Sequence, residues 1–108
     1  MILYGIASCD SCRKARRALE SAGHAVVFHD IRAEPLSPAE RERFVAAFGD
    51  RLVNRASTTW RALDEATRAA QAAELIAAHP TVMKRPVIDD GATLYLGWDK
   101  DAQAALLA

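Results

Sequence analysis

The first part of the chain combines two apolar segments with an amphipathic one. Residues 2–6 are apolar on both faces and predict a short strand, and residues 25–28, rich in β-branched and aromatic side chains, predict a second. Between them, after a turn at residues 8–11, apolar side chains recur at helical spacing until Gly23 ends the helix. These apolar positions are Cys12, Ala15, Leu19 and Ala22. This order predicts a βαβ unit with parallel strands and a right-handed crossover.

The middle of the chain has a helical pattern. Ser37 and Glu40 have the spacing of a capping box, and they begin a predicted helix that carries apolar side chains as far as Phe48. Residues 58–78 predict two further helices, the second of which begins at Asp64. We therefore expect helices alone between the two strand-containing parts of the chain.

The last part of the chain returns to strand patterning. Residues 86–89 and 92–96 predict a β-hairpin around an Asp90–Gly91 turn, and residues 99–107 predict a closing helix. The predicted order is βαβ, then helices, then ββα, which is an α/β fold. A chain of 108 residues without repeats or linkers predicts a single domain.

Charge and composition exclude several classes of protein. The 14 Lys and Arg residues balance the 14 Asp and Glu residues, which argues against a general nucleic-acid-binding protein and against a disordered chain. The pattern contains neither a signal peptide nor a membrane-spanning segment, so we expect a cytoplasmic protein without a membrane partner. We expect a monomer, because no large exposed apolar patch is evident.

The chemistry of the chain centres on its two cysteines, Cys9 and Cys12. Cys9 lies at the predicted start of a helix, where free backbone N–H groups and the positive end of the helix dipole lower the pKa of a thiol. Arg13 and Lys14 add positive charge, so Cys9 is the candidate nucleophile. Cys12 lies one turn further on the apolar face, where it either resolves a mixed disulfide on Cys9 or serves only as a core residue.

A zinc site is the alternative interpretation of the cysteine pair. Cys9, Cys12, His24 and His29 nearly match the spacing of a Cys2His2 site. The two histidines bracket a predicted strand, which separates their rings by roughly 16 Å and points them to opposite faces. We therefore expect no bound metal.

A second candidate feature is the Lys84-Arg85-Pro86 segment before the hairpin. Proline at the start of a strand is unusual unless it fixes a turn, and a cis Arg85–Pro86 bond is one way to do so. Arg85 either presents its forked guanidinium to an oxyanion or carboxylate, or is a solvated charge.

These motifs together resemble the ArsC/Spx family, the arsenate reductase-like branch of thioredoxin-fold proteins, and most closely its YffB-type members. The resemblance covers essentially the whole chain. It rests on residues 3–6, 9–15, 54–55, 59–65, 79–80 and 84–86.

The resemblance implies a thioredoxin-like mixed sheet (βαβ…ββα) with an inserted helical subdomain at about residues 35–80. It also implies that Cys9 is the nucleophile and that Pro86 is a cis proline facing it. The implied substrate or anion site comprises Ser8, Asp10, Ser11, Arg13, Arg55, Arg85 and Pro86.

Three functions are compatible with this resemblance. The first is a thiol–disulfide reductase that acts on a small oxyanion or disulfide, with no bound cofactor and with glutathione or glutaredoxin as co-substrate or partner. The second is a true arsenate reductase, although residues 95–98 lack the third arginine of those enzymes and Cys12 is additional. The third is an Spx-type redox-sensing regulator that contacts RNA polymerase rather than DNA.

Overall fold

The computed structural model describes residues 1–107 and divides into two compact units. The sheet unit comprises Met1–Asp30 and the chain from Arg85 onward, and the helical unit comprises Ile31–Lys84. The elements, in chain order, are β1 (Ile2–Gly5), α1 (Asp10–Ser21), β2 (Val27–Asp30), α2 (Pro38–Phe48), α3 (Thr58–Ala62), α4 (Glu65–Arg68), α5 (Ala72–Ala78), β3 (Val87–Asp89), β4 (Leu94–Leu96) and α6 (Lys100–Leu107). Short 3-10 helices cover Gly49–Leu52 and Pro80–Val82.

The four strands form one mixed sheet in the order β2-β1-β3-β4. β1 pairs with β2 in parallel and with β3 in antiparallel orientation, and β3 pairs with β4 as an antiparallel hairpin. This arrangement confirms the thioredoxin-like α/β sheet that the sequence predicted, with the parallel βαβ unit first and the ββα unit last. The helical unit lies between these two parts in the sequence.

The core of the sheet unit joins the sheet to α1 and α6. Its buried members are Leu3, Cys12, Ala15, Leu19, Ile88 and Leu106. Cys12 approaches β1 so closely that a Cβ atom added to Gly5 would overlap the Cys12 sulfur. Glycine at position 5 therefore sets how closely the first turn of α1 can pack on the strand.

The helical unit has its own buried side chains, which include Phe44 of α2 and Leu75 and Ile76 of α5. The predicted capping box is present, because the Ser37 hydroxyl accepts from the Glu40 N–H and the Glu40 carboxylate accepts from the Ser37 N–H. Gly49, with φ +58°, follows the last residue of α2. The prediction for this helix is confirmed at both ends.

The second strand lies later in the chain than predicted, at Val27–Asp30 instead of residues 25–28. The end of α1 explains the shift. Gly23, with φ +94°, allows the His24 N–H to turn back and donate to the Leu19 carbonyl at 3.0 Å. Pairing with β1 then begins at Val27, opposite Ile2.

Residues 58–78 form three helices, so the prediction of two was wrong. Asp64 begins α4 as predicted and accepts from the Thr67 N–H at 2.7 Å. The helix then stops, because Gln71 is extended (ψ 153°) and α5 begins after it. This restart places Leu75 and Ile76 in the buried part of the helical unit, whereas alanine-rich composition alone favoured continuous helix.

The hairpin loop is also longer than a two-residue turn. Four residues separate β3 from β4, and the Asp90 side chain accepts from the N–H groups of Ala92 and Thr93. Gly91, with φ +100°, occupies the left-handed position in this loop. None of the helices within residues 1–107 is both long and apolar enough to cross a lipid bilayer.

Replacing Gly5 with alanine tests the packing of α1 on β1. We expect Gly5→Ala to lower the free energy of unfolding by about 1–3 kcal/mol, because the new methyl group would overlap the Cys12 sulfur. Urea denaturation of the reduced protein measures the change. In a Cys12→Ala background, which removes the sulfur, the cost of Gly5→Ala should fall by about 1 kcal/mol or more. An equal cost in both backgrounds would show that this contact does not limit the packing.

Candidate functional site

Cys9 is the N-cap residue of α1, at the end of the short loop that follows β1. Its N–H donates to the Ile6 carbonyl at 3.0 Å, and its carbonyl accepts the Arg13 N–H at 3.0 Å. The side chain is half-buried and packs against the core of the sheet unit. The loop therefore holds one face of the sulfur against the protein and leaves the other accessible.

Three groups determine the charge of the Cys9 sulfur. Burial by itself raises the pKa of the Cys9 thiol. The Cys12 backbone and thiol and the guanidinium of Arg85 outweigh burial, and they hold the pKa of Cys9 below its ordinary value of 9.0. The sulfur is therefore predisposed to be a thiolate, the reactive form in nucleophilic and disulfide-exchange chemistry.

The pKa of the Cys12 thiol is shifted in the opposite direction. Its side chain is 1% exposed, and this burial is the main reason that its pKa is raised to about 12. The hydrogen bond and charge of Cys9 raise the pKa further, whereas the Ile6 backbone and Arg85 partly oppose the shift. Cys12 is thus a protonated donor that supports the negative charge on Cys9.

The positive charge that lowers the pKa of Cys9 comes from Arg85, a member of the anion site that the resemblance implied, and not from Arg13 or Lys14 as their positions next to the cysteines suggested. Arg13 instead pairs with Asp10 on the exposed surface of α1, and this pairing lowers the pKa of Asp10. Lys14 is also exposed, and its positive charge contributes to the lowered pKa of Asp10. The predicted direction of the Cys9 pKa shift therefore agrees with the structure, but its electrostatic source lies in another part of the chain.

Comparison with known proteins gives a consistent result. A model of the ArsC family matches residues 4–106. The chain belongs to the ArsC family. Among solved structures it is similar to the YffB protein, with 41% identity, a TM-score of 0.90, and 99% of this chain and 98% of the other covered.

Two further relatives have names that indicate different functions. An arsenate reductase (ArsC) related protein from Brucella melitensis is 38% identical, with a TM-score of 0.74 over 95% of this chain and 89% of the other. The global transcriptional regulator Spx of Bacillus subtilis is 33% identical over 92% of this chain and 80% of its own length. The proteins to which this chain is similar thus include both a reductase-related protein and a transcriptional regulator.

The structure places the other ArsC-type site residues as follows. Pro86 is buried at the start of the hairpin, and the Arg85–Pro86 bond is cis, as the resemblance implied. Ser8 and Ser11 are exposed on either side of Cys9. Arg55 belongs to the helical unit, where its guanidinium lies 5.7 Å from the centre of the Trp60 ring. A role for Arg55 beside the thiolate stays a prediction.

Sequence reasoning missed Asp30, the last residue of β2. Its carboxylate accepts the Ala7 N–H at 3.2 Å and so ties the loop that carries Cys9 to the neighbouring parallel strand. The signal in the sequence is weak: a single acidic residue follows a strand that the pattern placed two residues too early. Correct pairing of Gly5 with Asp30 is needed before this contact can be recognised.

The first test of the site compares two arginines. We expect Arg85→Ala to raise the pKa of Cys9, because the mutation removes a hydrogen bond and a nearby positive charge. Arg13→Ala is the matched control and should leave the pKa of Cys9 nearly unchanged, since Arg13 pairs with Asp10. Ultraviolet thiolate absorbance against pH measures the lower of the two thiol titrations. A larger shift in Arg13→Ala than in Arg85→Ala would contradict this assignment.

The second test concerns stability at alkaline pH. Cys12 keeps its proton in the folded protein up to a pKa of about 12, whereas an unfolded thiol loses it near 9.0. Cys12 therefore stabilises the fold below pH 9.0, and this contribution is lost as the pH rises toward 12. Above pH 9.0, the wild type should lose stability faster than Cys12→Ala, by up to about 1.4 kcal/mol per pH unit. Urea titrations of both reduced proteins measure the slopes, and parallel slopes would contradict the raised pKa.

Proposed function

We propose that this protein is a cytoplasmic thiol–disulfide reductase, with Cys9 as its nucleophile and glutathione or glutaredoxin as its reducing partner. The observation that supports this function best is the inequality of the two thiols. Cys9 is accessible and its pKa is lowered, whereas Cys12 is buried and its pKa is raised to about 12. This arrangement suits a monothiol mechanism, in which an external thiol completes the reaction.

In the first step, the Cys9 thiolate attacks the glutathione sulfur of a mixed disulfide. A bond forms between Cys9 and glutathione, the original disulfide bond breaks, and the substrate thiolate leaves and takes a proton from water. In the second step, the thiolate of another glutathione molecule attacks the glutathione sulfur of this adduct. The products are glutathione disulfide and the regenerated Cys9 thiolate, so each turnover releases one substrate thiol and consumes one glutathione thiol.

Arg85 has a second role in this proposal. Glutathione carries two carboxylates, and a guanidinium can bind a carboxylate through two parallel hydrogen bonds. Arg85 already interacts with the Cys9 sulfur, so it is placed to stabilise the thiolate and to receive the anionic co-substrate. Ser8 and Ser11, both exposed, lie close to Cys9 in the sequence.

An Spx-type regulator is the second candidate function. It is favoured by the 33% identity with Spx and by the close interaction between the Cys9 and Cys12 side chains, which suits a disulfide switch. In this alternative the protein contacts RNA polymerase, and oxidation of the cysteine pair changes that contact. Strict arsenate reduction has less support, because the segment Tyr95–Trp98 contains no arginine.

Turnover assays distinguish these candidates. We expect reduction of a glutathione mixed disulfide in the presence of glutathione, glutaredoxin and NADPH-dependent recycling, and little turnover with arsenate in the same system. Cys9→Ser should abolish activity, because it removes the nucleophile. Cys12→Ala should retain turnover with a pH–rate profile displaced to higher pH, since Cys9 loses the Cys12 thiol as a donor.

Two results would contradict the proposal. If Cys12→Ala stops turnover and accumulates a Cys9–glutathione adduct, detectable by mass spectrometry, Cys12 is the resolving thiol. If the wild type turns over no mixed disulfide but binds RNA polymerase in a manner that depends on its oxidation state, the regulator is the better assignment.

A further inference from the structure

The helical unit contains a cavity of about 270 Å³ that lies beside Trp60. Its walls include Asp50, Arg55, Arg68 and Leu75, and all of its lining residues belong to Ile31–Lys84. Neither cysteine contributes to it. Of the residues that line it, only Arg55 also belongs to the anion site that the resemblance implied, and the reductase steps proposed above use none of the others.

Two guanidinium groups lie close to the Trp60 ring. The Cζ atom of Arg55 is 5.7 Å from the ring centre, and that of Arg68 is 5.5 Å from it. Arg68 is held in place, since its Nε donates to the Trp60 carbonyl at 3.1 Å and its Nη2 donates to the Arg61 carbonyl at 2.9 Å. The positive charge in this part of the cavity is therefore fixed before any ligand arrives.

The charges around the cavity are incompletely balanced. Within residues 1–107, Arg55 and Asp50 form no ion pair, and their side chains form no hydrogen bond. The charge of Arg68 helps to lower the pKa of the exposed Asp64 carboxyl. The two side chains do not, however, form an ion pair within 4.0 Å. The cavity is thus lined by two cations and one carboxylate, together with Trp60 and the apolar side chain of Leu75.

We propose that this cavity binds a dicarboxylic α-amino acid, with the chemistry of glutamate or aspartate. The two ligand carboxylates complement the guanidiniums of Arg55 and Arg68, and the ligand ammonium complements Asp50. The short aliphatic chain packs against Leu75. A cavity of this volume is slightly below the roughly 300–1,000 Å³ of sites for drug-sized ligands, which suits a single amino acid.

Asp50 makes the proposal specific. A dicarboxylate that lacks the amino group places the same two negative charges in the cavity but leaves Asp50 facing them without a cation. We therefore expect L-glutamate to bind more tightly than glutarate. In Asp50→Asn this preference should shrink or reverse, because the mutation weakens the contact with the ammonium and removes the repulsion of glutarate.

Isothermal titration calorimetry on the full chain measures both ligands. We expect Arg55→Ala to weaken L-glutamate binding by about tenfold or more, as a lost charge-assisted contact does. Arg61→Ala is the matched control: it removes an exposed arginine from α3 whose side chain does not line the cavity, and binding should be unchanged. In Trp98→Phe, the only remaining indole is Trp60, so its fluorescence should change along the same binding curve.

Cys9→Ser should bind L-glutamate as the wild type does, so a failure of the proposed reductase function would leave this test intact. The proposal is overturned if L-glutamate and glutarate bind equally to the wild type and to Asp50→Asn. It is also overturned if Arg55→Ala and Arg61→Ala have the same effect, or if the wild type binds neither ligand at millimolar concentration.

Discussion

The contact between the Cys12 sulfur and Gly5 is the constraint on which the candidate site depends. Only four residues separate β1 from α1, so the first turn of the helix must pack directly on the strand that precedes it. Glycine leaves the space that the sulfur fills. With Cys12 fixed beneath the loop, Cys9 becomes the N-cap residue, half-buried and within reach of the protonated thiol below it. One packing contact thus determines the position of the nucleophile and one of its stabilising partners.

The electrostatics of the site depend on tertiary structure more than on the neighbouring sequence. The basic residues next to the Cys-x-x-Cys segment lie on the exposed face of α1, where Arg13 pairs with Asp10. Arg85 is distant in the sequence, but β3 pairs with β1 and so brings the residue before Pro86 to the loop that carries Cys9. Surface charges are screened by water, whereas a charge beside a half-buried sulfur acts in a lower dielectric and has a larger effect.

Much of the fold was predictable because its signals are local. The capping box of Ser37 and Glu40 and the glycine that ends α1 each act within a few residues. The remaining features depend on pairing between distant segments. The register of β2 against β1 decides that Asp30 reaches the loop, and the buried positions of α5 decide where the helix restarts after Gln71. Composition carries no information about the strand register or about the buried positions of the helix. The sequence pattern therefore placed β2 too early and merged α4 with α5.

The difference between the two thiols also bears on the two functions that the family offers. A disulfide between Cys9 and Cys12 requires Cys12 to ionise, at least transiently, in order to attack an oxidised Cys9. Oxidation of Cys9 removes the negative charge that helps to raise the pKa of Cys12, but burial, the larger cause, remains. In the proposed reductase, the buried thiol would therefore compete poorly at neutral pH with an external thiol for an adduct on Cys9. Burial of Cys12, which keeps that thiol protonated as a hydrogen-bond donor to Cys9, would thus favour an external resolving thiol over an internal switch in this proposal.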